Sequence, residues 1–145
     1  MAWYSLDIRK DGGTWLVTSP DFEELVTFGD TKQEAESRGL DAIEEAIAGR
    51  IADGEDIPPA RTDKPEGFHA ELPLLVVLKA GLYMLMRAES KTRADLVRDL
   101  GWHREQVDRL FRLDHNSRID QLEEAFRALG HPLRFNLSAG TLEAA

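Results

Sequence analysis

Cysteine is absent from the 145 residues of this chain. Disulfide scaffolds, thiol catalysis and cysteine-ligated zinc are thereby excluded. Histidine is sparse: His69, His103, His115 and His131 stand far apart, with no HxH or HExxH spacing. That argues against a metal enzyme, and nothing in the pattern calls for a cofactor. Long apolar runs are missing too. The most apolar stretch, Leu72 to Met86, is broken by Lys79 and falls short of the ~18–20 residues of a membrane span. Met1-Ala2-Trp3-Tyr4 does not open a basic and then apolar leader, so a soluble cytoplasmic protein is expected.

What is present divides unevenly. Apolar residues make up 42% of the chain, too many for a disordered acidic tail. The formal charge of −9 comes entirely from residues 1–67, which carry seven Lys and Arg against sixteen Asp and Glu. Residues 68–145 carry eleven of each. Such asymmetry suggests two modules with different partners. Between them, Gly54 to Gly67 is rich in Pro, Gly and charge and reads as extended chain. The expected division is an α/β domain over 1–57, a linker over 58–70, a mainly helical domain over 71–138 and a tail over 139–145.

In the first module Tyr4, Leu6 and Ile8 alternate with polar residues, the period of a half-buried strand. Asp11-Gly12-Gly13 supplies a hairpin turn. Trp15 to Thr18 and Leu25 to Phe28 read as second and third strands of an antiparallel meander. Thr31 and Glu34 then form a T-x-x-E capping box, followed by Ala35, Leu40, Ile43, Ile47 and Ile51 on one helical face. Gly39 weakens that helix, and Gly54 ends it. The carboxylates Asp7, Asp21, Glu23, Glu24 and Glu44 are numerous enough for acid–base chemistry, yet no pair has a diagnostic spacing. A solvated face, or a surface for a basic partner, fits them better.

In the second module Pro73 suits the first turn of a helix lined by Leu75, Leu78, Leu82 and Leu85. Thr92 and Asp95 cap a short helix whose inner face is Leu96, Val97 and Leu100. Gly101-Trp102 turns the chain into a second helix with Val107, Leu110 and Phe111 inward. Gly101, with Val97 four before it and Val107 and Leu110 six and nine after it, has the spacing of a helix-turn-helix. Val97 stands where alanine is the common choice, which predicts a slightly wider crossing.

This arrangement leaves His103, Arg104, Glu105, Gln106, Arg109 and Arg112 on an outer face that would enter the major groove. Arg104 and Arg109 could read guanine, Gln106 adenine, and Glu105 cytosine. Thr92, Arg93, Asn116, Ser117 and Arg118 are placed for phosphate. A helical bundle with a merely solvated polar face would show the same pattern. Residues 91–118 carry seven basic against five acidic residues, so one copy would bind weakly and a two-fold pair would be needed. Ser117 then caps a helix bearing Ile119, Leu122, Phe126 and Leu129, ended by Gly130. Phe135 and Leu137 alternate in a terminal strand that could pair with its symmetry mate.

Both halves together resemble the HicB antitoxins of bacterial type II toxin–antitoxin systems, in the subgroup with a helix-turn-helix. The resemblance runs from Tyr4 to Pro59 through Gly12-Gly13, Pro20-Asp21, Gly29 to Ala35 and Ile57-Pro58-Pro59. It continues through Leu72-Pro73, Gly101 to Leu110, His115 to Arg118 and Leu122-Glu123. One departure is Phe22-Glu23-Glu24, where the family often has an apolar residue, Pro and Gly; that turn should take a different shape. The resemblance implies an α+β protein whose N-terminal sheet and helix form a partial RNase H-like fold without nuclease activity. It implies binding to a small basic RNA-cleaving toxin of the HicA type, operator DNA as a second partner, and a homodimer or tetramer. Asp21, Glu23, Glu24, Glu44 and Glu45 are the residues expected to meet the toxin. The alternative is a transcription regulator that senses a ligand or another protein; an RNase H-like hydrolase comes third.

Overall fold

A computed structural model describes residues 1–144, the side chain of Thr141 excepted; of the expected tail 139–145, residue 145 lies outside the described residues. The fold is mixed α+β. The chain divides into two compact units, Met1–Ala80 and Gly81–Ala145.

The first unit opens with strands β1 (Trp3–Ser5), β2 (Asp7–Asp11), β3 (Thr14–Thr18) and β4 (Val26–Gly29), followed by helix α1 (Lys32–Asp53) and strand β5 (His69–Glu71). Strands β2, β3 and β4 are the expected antiparallel meander, in that order. The alternating segment Tyr4-Leu6-Ile8 is not one strand, however. It divides at Leu6: β2 stays in the meander, while β1 pairs antiparallel with β5, Tyr4 facing Ala70. Leu6 itself donates its N–H to Phe68 O (3.0 Å) and is buried. Alternation reports which face is buried and is silent on which neighbour takes the hydrogen bonds.

The Pro-rich segment is extended and laid along β1. Trp3 exchanges both backbone hydrogen bonds with Arg61 (3.0 and 2.9 Å), and its indole N–H donates to Asp63 O (2.7 Å). The Tyr4 hydroxyl donates to Pro58 O (2.7 Å). Prolines cost little here, because such a segment needs only scattered donors.

Helix α1 starts and stops where its sequence directs. Glu34 N–H donates to Thr31 Oγ1 (3.1 Å), Glu34 Oε2 accepts from Asp30 N–H (3.2 Å), and Gly54 adopts the left-handed conformation at φ 68°. Its buried stripe is Ala35, Gly39, Ile43, Ala46, Ile47 and Ile51; Leu40 is only half-buried. Gly39 belongs to that stripe for a packing reason. A Cβ there would lie 2.6 Å from Leu6 Cδ1 and 3.3 Å from Val17 Cγ1. Gly29 is tighter still: its Cβ would meet the backbone of Ala35 at 2.4 Å.

Helix α2 (Leu74–Ala88) begins one residue after Pro73, whose carbonyl accepts from Val77 N–H at 3.0 Å. Its buried side is Val76, Leu78, Lys79, Ala80, Leu82, Tyr83 and Met86, rotated from the expected leucine stripe; Leu75 and Leu85 are half-buried. Lys79, whose charge interrupts the apolar run, is fully buried.

The second unit continues with α3 (Arg93–Leu100), α4 (Arg104–Leu110), α5 (Ile119–Ala128) and strands β6 (Phe135–Ser138) and β7 (Thr141–Ala144). Leu96, Val107, Leu110, Phe111, Leu122 and Phe126 are buried. Ile119, expected inward, is 62% exposed, and Ala125 takes its place in the buried stripe. The N-cap of α5 is Arg118 rather than Ser117. The expected lone terminal strand is half of a hairpin: β6 pairs antiparallel with β7 around Gly140, which has φ 88°.

Because Gly29 meets backbone, not a flexible side-chain tip, Gly29→Ala must push α1 away from β4. It should lower unfolding free energy by about 1–3 kcal/mol, the usual cost of overpacking, read by urea denaturation.

Candidate functional site

Two surfaces, one in each unit, collect the residues picked out by sequence. In the first unit Phe22 follows the turn after β3 and is fully buried, with the Tyr4 ring edge-on to it at 4.9 Å. Burial, and then the nearby Asp21 carboxylate, push the Tyr4 hydroxyl up to about 12. It therefore remains a donor to Pro58 at all ordinary pH. The Arg50 guanidinium lies 4.9 Å from the Phe22 ring centre. Its Nε and Nη2 each donate to the Glu24 carboxylate at 2.8 Å, and Nη1 donates to Asp56 O at 3.1 Å. The Arg50 hydrogen bonds hold Glu24 below the ordinary carboxylate value. A planar guanidinium suits both the bidentate pair and the ring face.

Around this clamp lies an open groove of about 370 Å³. It is lined by Glu23, Glu24, Glu45, Asp53 and Glu55, with Ala46, Gly49 and Arg50. Five carboxylates surround one guanidinium, so the groove is strongly negative. A second recess of about 230 Å³ shares Glu24, Glu45 and Ala46 with it and adds Leu25, Val26 and Ala42.

Of the acidic residues expected to meet a partner, the fold brings Glu23, Glu24 and Glu45 together. Asp21 and Glu44 do not line the groove. Asp21 is half-buried, and its Oδ2 has no hydrogen-bond partner among the described residues. Glu44 is half-buried and raised in pKa by burial and by Asp41. Sequence reasoning missed Asp53 and Glu55. Glu45, Gly49 and Asp53 recur every fourth residue, the signal of one helical stripe.

In the second unit Thr92 and Asp95 cap α3 reciprocally (3.1 and 2.8 Å), as their spacing predicts. Gly101 turns the chain at φ 69° toward α4. Arg93, expected at phosphate, lies against α4. It donates to Asp108 Oδ1 at 3.0 Å and lies 4.8 Å from the Phe111 ring centre. Arg104 Nε donates to the same carboxylate oxygen at 3.1 Å. Burial raises the Asp108 carboxyl, but the hydrogen bonds from Arg93 and Arg104 outweigh it and hold the group below its ordinary 3.8. Asp108 thus fastens α3 to α4.

The remaining residues expected to reach nucleic acid divide by exposure. His103, Arg104, Glu105, Arg109, Arg112, Asn116 and Arg118 are exposed, as is Thr92. Arg112 is paired with Asp114, and Arg118 with Asp120. Gln106 is half-buried, its side-chain oxygen accepting from His103 N–H at 2.9 Å. Ser117 is buried and donates to Arg109 O at 3.3 Å, tying the loop to the end of α4.

The fold thus sets a small acidic α/β unit with a carboxylate-lined groove before a helical unit with exposed arginines on α4. The comparisons identify its kind. Residues 3–81 match the family described as "HicB_like antitoxin of bacterial toxin-antitoxin system". "Antitoxin HicB" of Pseudomonas fluorescens (strain Pf0-1) is 31% identical over 137 residues, covering 94% of this chain and 94% of the relative. "Antitoxin HicB 2" of Photorhabdus laumondii subsp. laumondii is 33% identical over 130 residues, 90% and 92% of the two chains. "Antitoxin HicB" of Escherichia coli (strain K12) is 33% identical over 122 residues, 83% and 88%. The chain belongs to the HicB-like antitoxin family of bacterial toxin–antitoxin systems. Among the described residues, no helix is long and apolar enough to cross a membrane.

Asp108 supplies a pH test of the α3–α4 fastening. A depressed carboxylate stabilises the fold above its unfolded value and loses that contribution as pH falls through the folded one. Asp108→Asn should cost at most about 1 kcal/mol near neutrality, since the pair is partly solvated. In urea titrations the gap from the parent chain should close below the ordinary aspartate value of 3.8.

Proposed function

We propose that this antitoxin neutralises a HicA-type toxin, a small basic mRNA-cleaving protein, by direct binding through its acidic N-terminal unit. Through α3 and α4, acting as a helix-turn-helix, it represses its own operon. It works in the cytoplasm as a non-enzymatic partner of protein and DNA. The observation that carries the toxin half is the groove of five carboxylates in a chain whose net negative charge lies wholly in residues 1–67. A groove of that sign attracts a basic protein at long range and competes with RNA for its binding face.

For the DNA half, support comes from the left-handed Gly101 turn, the buried Val107 and Leu110, and exposed Arg104 and Arg109 on α4. Entering the groove, Arg104 would exchange its bond to Asp108 for a base edge, while Arg93 keeps the helices fastened. Ser117 and Gln106 serve the fold in this reading, and the phosphate contacts fall to Thr92, Asn116 and Arg118. The modest positive charge of residues 91–118 calls for two copies. The hairpin β6–β7 suits the pairing: Phe135, Leu137 and Leu142 are 45%, 88% and 65% exposed. A two-stranded sheet standing alone is marginal in water, so a second hairpin would bury this surface.

Replacing Arg104 and Arg109 together with Ala should abolish operator binding in a gel-shift assay while the variant still neutralises toxin in cells. Loss of both activities would refute the division of labour. Operator affinity of the parent chain should also fall steeply with added salt, through released counterions. Leu137→Asp should leave the melting temperature of the protomer unchanged but shift it to monomer in sedimentation; a dimer that survives would remove the hairpin from the interface.

A further inference from the structure

The acidic groove is continuous with something sequence reading does not show, the outer edge of β4. Strand β4 is one border of the meander, and no described strand pairs with its far side. Its register with β3 is unbroken from Trp15–Gly29 to Thr18–Val26, so no bulge twists the edge away. Gly29 packs against α1, so Thr27 shares that side and Val26 and Phe28 face away from it. They are 61% and 43% exposed.

The carbonyl of Phe28 accepts from Arg38 Nη1 at 3.2 Å, which places it on the outer side of the strand. Residues two apart share orientation, so the N–H and C=O of Val26 point outward as well. Open edges are usually blunted by charge, proline or a bulge. The opposite border, β2, is blunted by Asp7, Arg9, Lys10 and Asp11, whereas Val26-Thr27-Phe28-Gly29 carries none of these devices in its own sequence; Arg38 of α1 covers the Phe28 carbonyl and would swing aside, as an exposed side chain can, for an added strand.

We propose that β4 is the docking edge for the basic toxin: an extended segment of the toxin pairs with Val26 and Phe28 as a fourth strand. The inference rests on the toxin-binding reading above and specifies how that binding is made. Main-chain hydrogen bonds to the edge supply affinity, and the flanking recesses supply selectivity. Beside Val26, the recess of about 230 Å³ has Leu25, Ala42 and Ala46 to receive an apolar side chain, with Glu24 and Glu45 as its acidic residues. From there the surface runs into the larger carboxylate groove, so a lysine or arginine next along the added strand meets opposite charge. A neutral or acidic strand would find the same edge and no such complement. Charge thus selects a basic partner over a second copy of this acidic unit.

The test uses the full chain and a HicA-type toxin, the small basic protein of the reading above, in a catalytically inactive variant. In the wild-type chain, NMR-detected amide exchange should slow at Val26 and Phe28 when that protein is added. Val26→Pro removes an outward N–H and no bond to β3, so the sheet should tolerate it. Its Kd should rise about tenfold or more, with Val26→Thr binding nearly as the parent does. Glu45→Lys should weaken binding similarly and flatten its salt dependence. If the wild-type chain binds while exchange at β4 is unchanged and Val26→Pro binds equally well, the edge proposal is overturned and the toxin-binding reading stands. If the wild-type chain does not bind the basic protein, both fall. Protection of β4 that grows with the concentration of this chain alone would assign the edge to a second copy and overturn the proposal. Should Val26→Pro fail to fold, the wild-type exchange experiment decides.

Discussion

Helix α1 approaches the sheet most closely at two glycines, Gly29 against the backbone of Ala35 and Gly39 against the side chains of Leu6 and Val17. Much else in the first unit depends on that closeness. With the helix held down at its N-terminal end, Ile43, Ile47 and Ile51 enter the core, and Arg50 arrives over Phe22, where it grips Glu24. The carboxylate groove exists because the C-terminal half of α1 runs beside the segment after β3. Both walls, Glu23 and Glu24 on one side and Glu45 and Asp53 on the other, are placed by that packing. Burying the isoleucines drives the contact, each contributing on the order of 1.5–3 kcal/mol. The glycines give up helix and strand propensity so that this burial can occur.

Arginine does different work in the two units. Arg50 is spent on structure: its bidentate bond to Glu24 and its ring contact fix the shape of the groove. In the helical unit Asp108 holds two arginines of unequal fate. Arg93 lies against Phe111 and is two-thirds covered, whereas the Arg104 side chain is 61% exposed. One carboxylate can therefore secure the α3–α4 pair through its inner partner and release its outer partner to a ligand at small cost, because exposed ion pairs contribute little.

Several features were legible from local chemistry. Thr31 with Glu34 and Thr92 with Asp95 announce helix starts within four residues; Gly54, Gly101 and Gly130 announce ends by tolerating positive φ. The segregation of charge needs only counting. Less legible were the residues whose roles depend on distant neighbours. Ser117 looks like an N-cap, yet its hydroxyl reaches back to Arg109. Leucines at helical spacing mark the inner side of α2, yet Lys79 is buried with them while Leu75 and Leu85 are only partly covered.

The sequence by itself determined the start and end of α1 and α3, the hairpin between β2 and β3, the acidic character of the first unit, and the resemblance that named its family. Each is set by residues within a turn or two of one another, or by composition alone. Tertiary structure alone decided that the strand containing Leu6 divides between two sheets, and that a Pro-rich segment some sixty residues away lies along β1. It also decided that five carboxylates converge on one groove and that β4 stands at the border of the meander. Local propensity says that a segment is extended or helical. Which partner satisfies its hydrogen bonds is a choice among distant segments, settled only when apolar faces find a packing that buries them together.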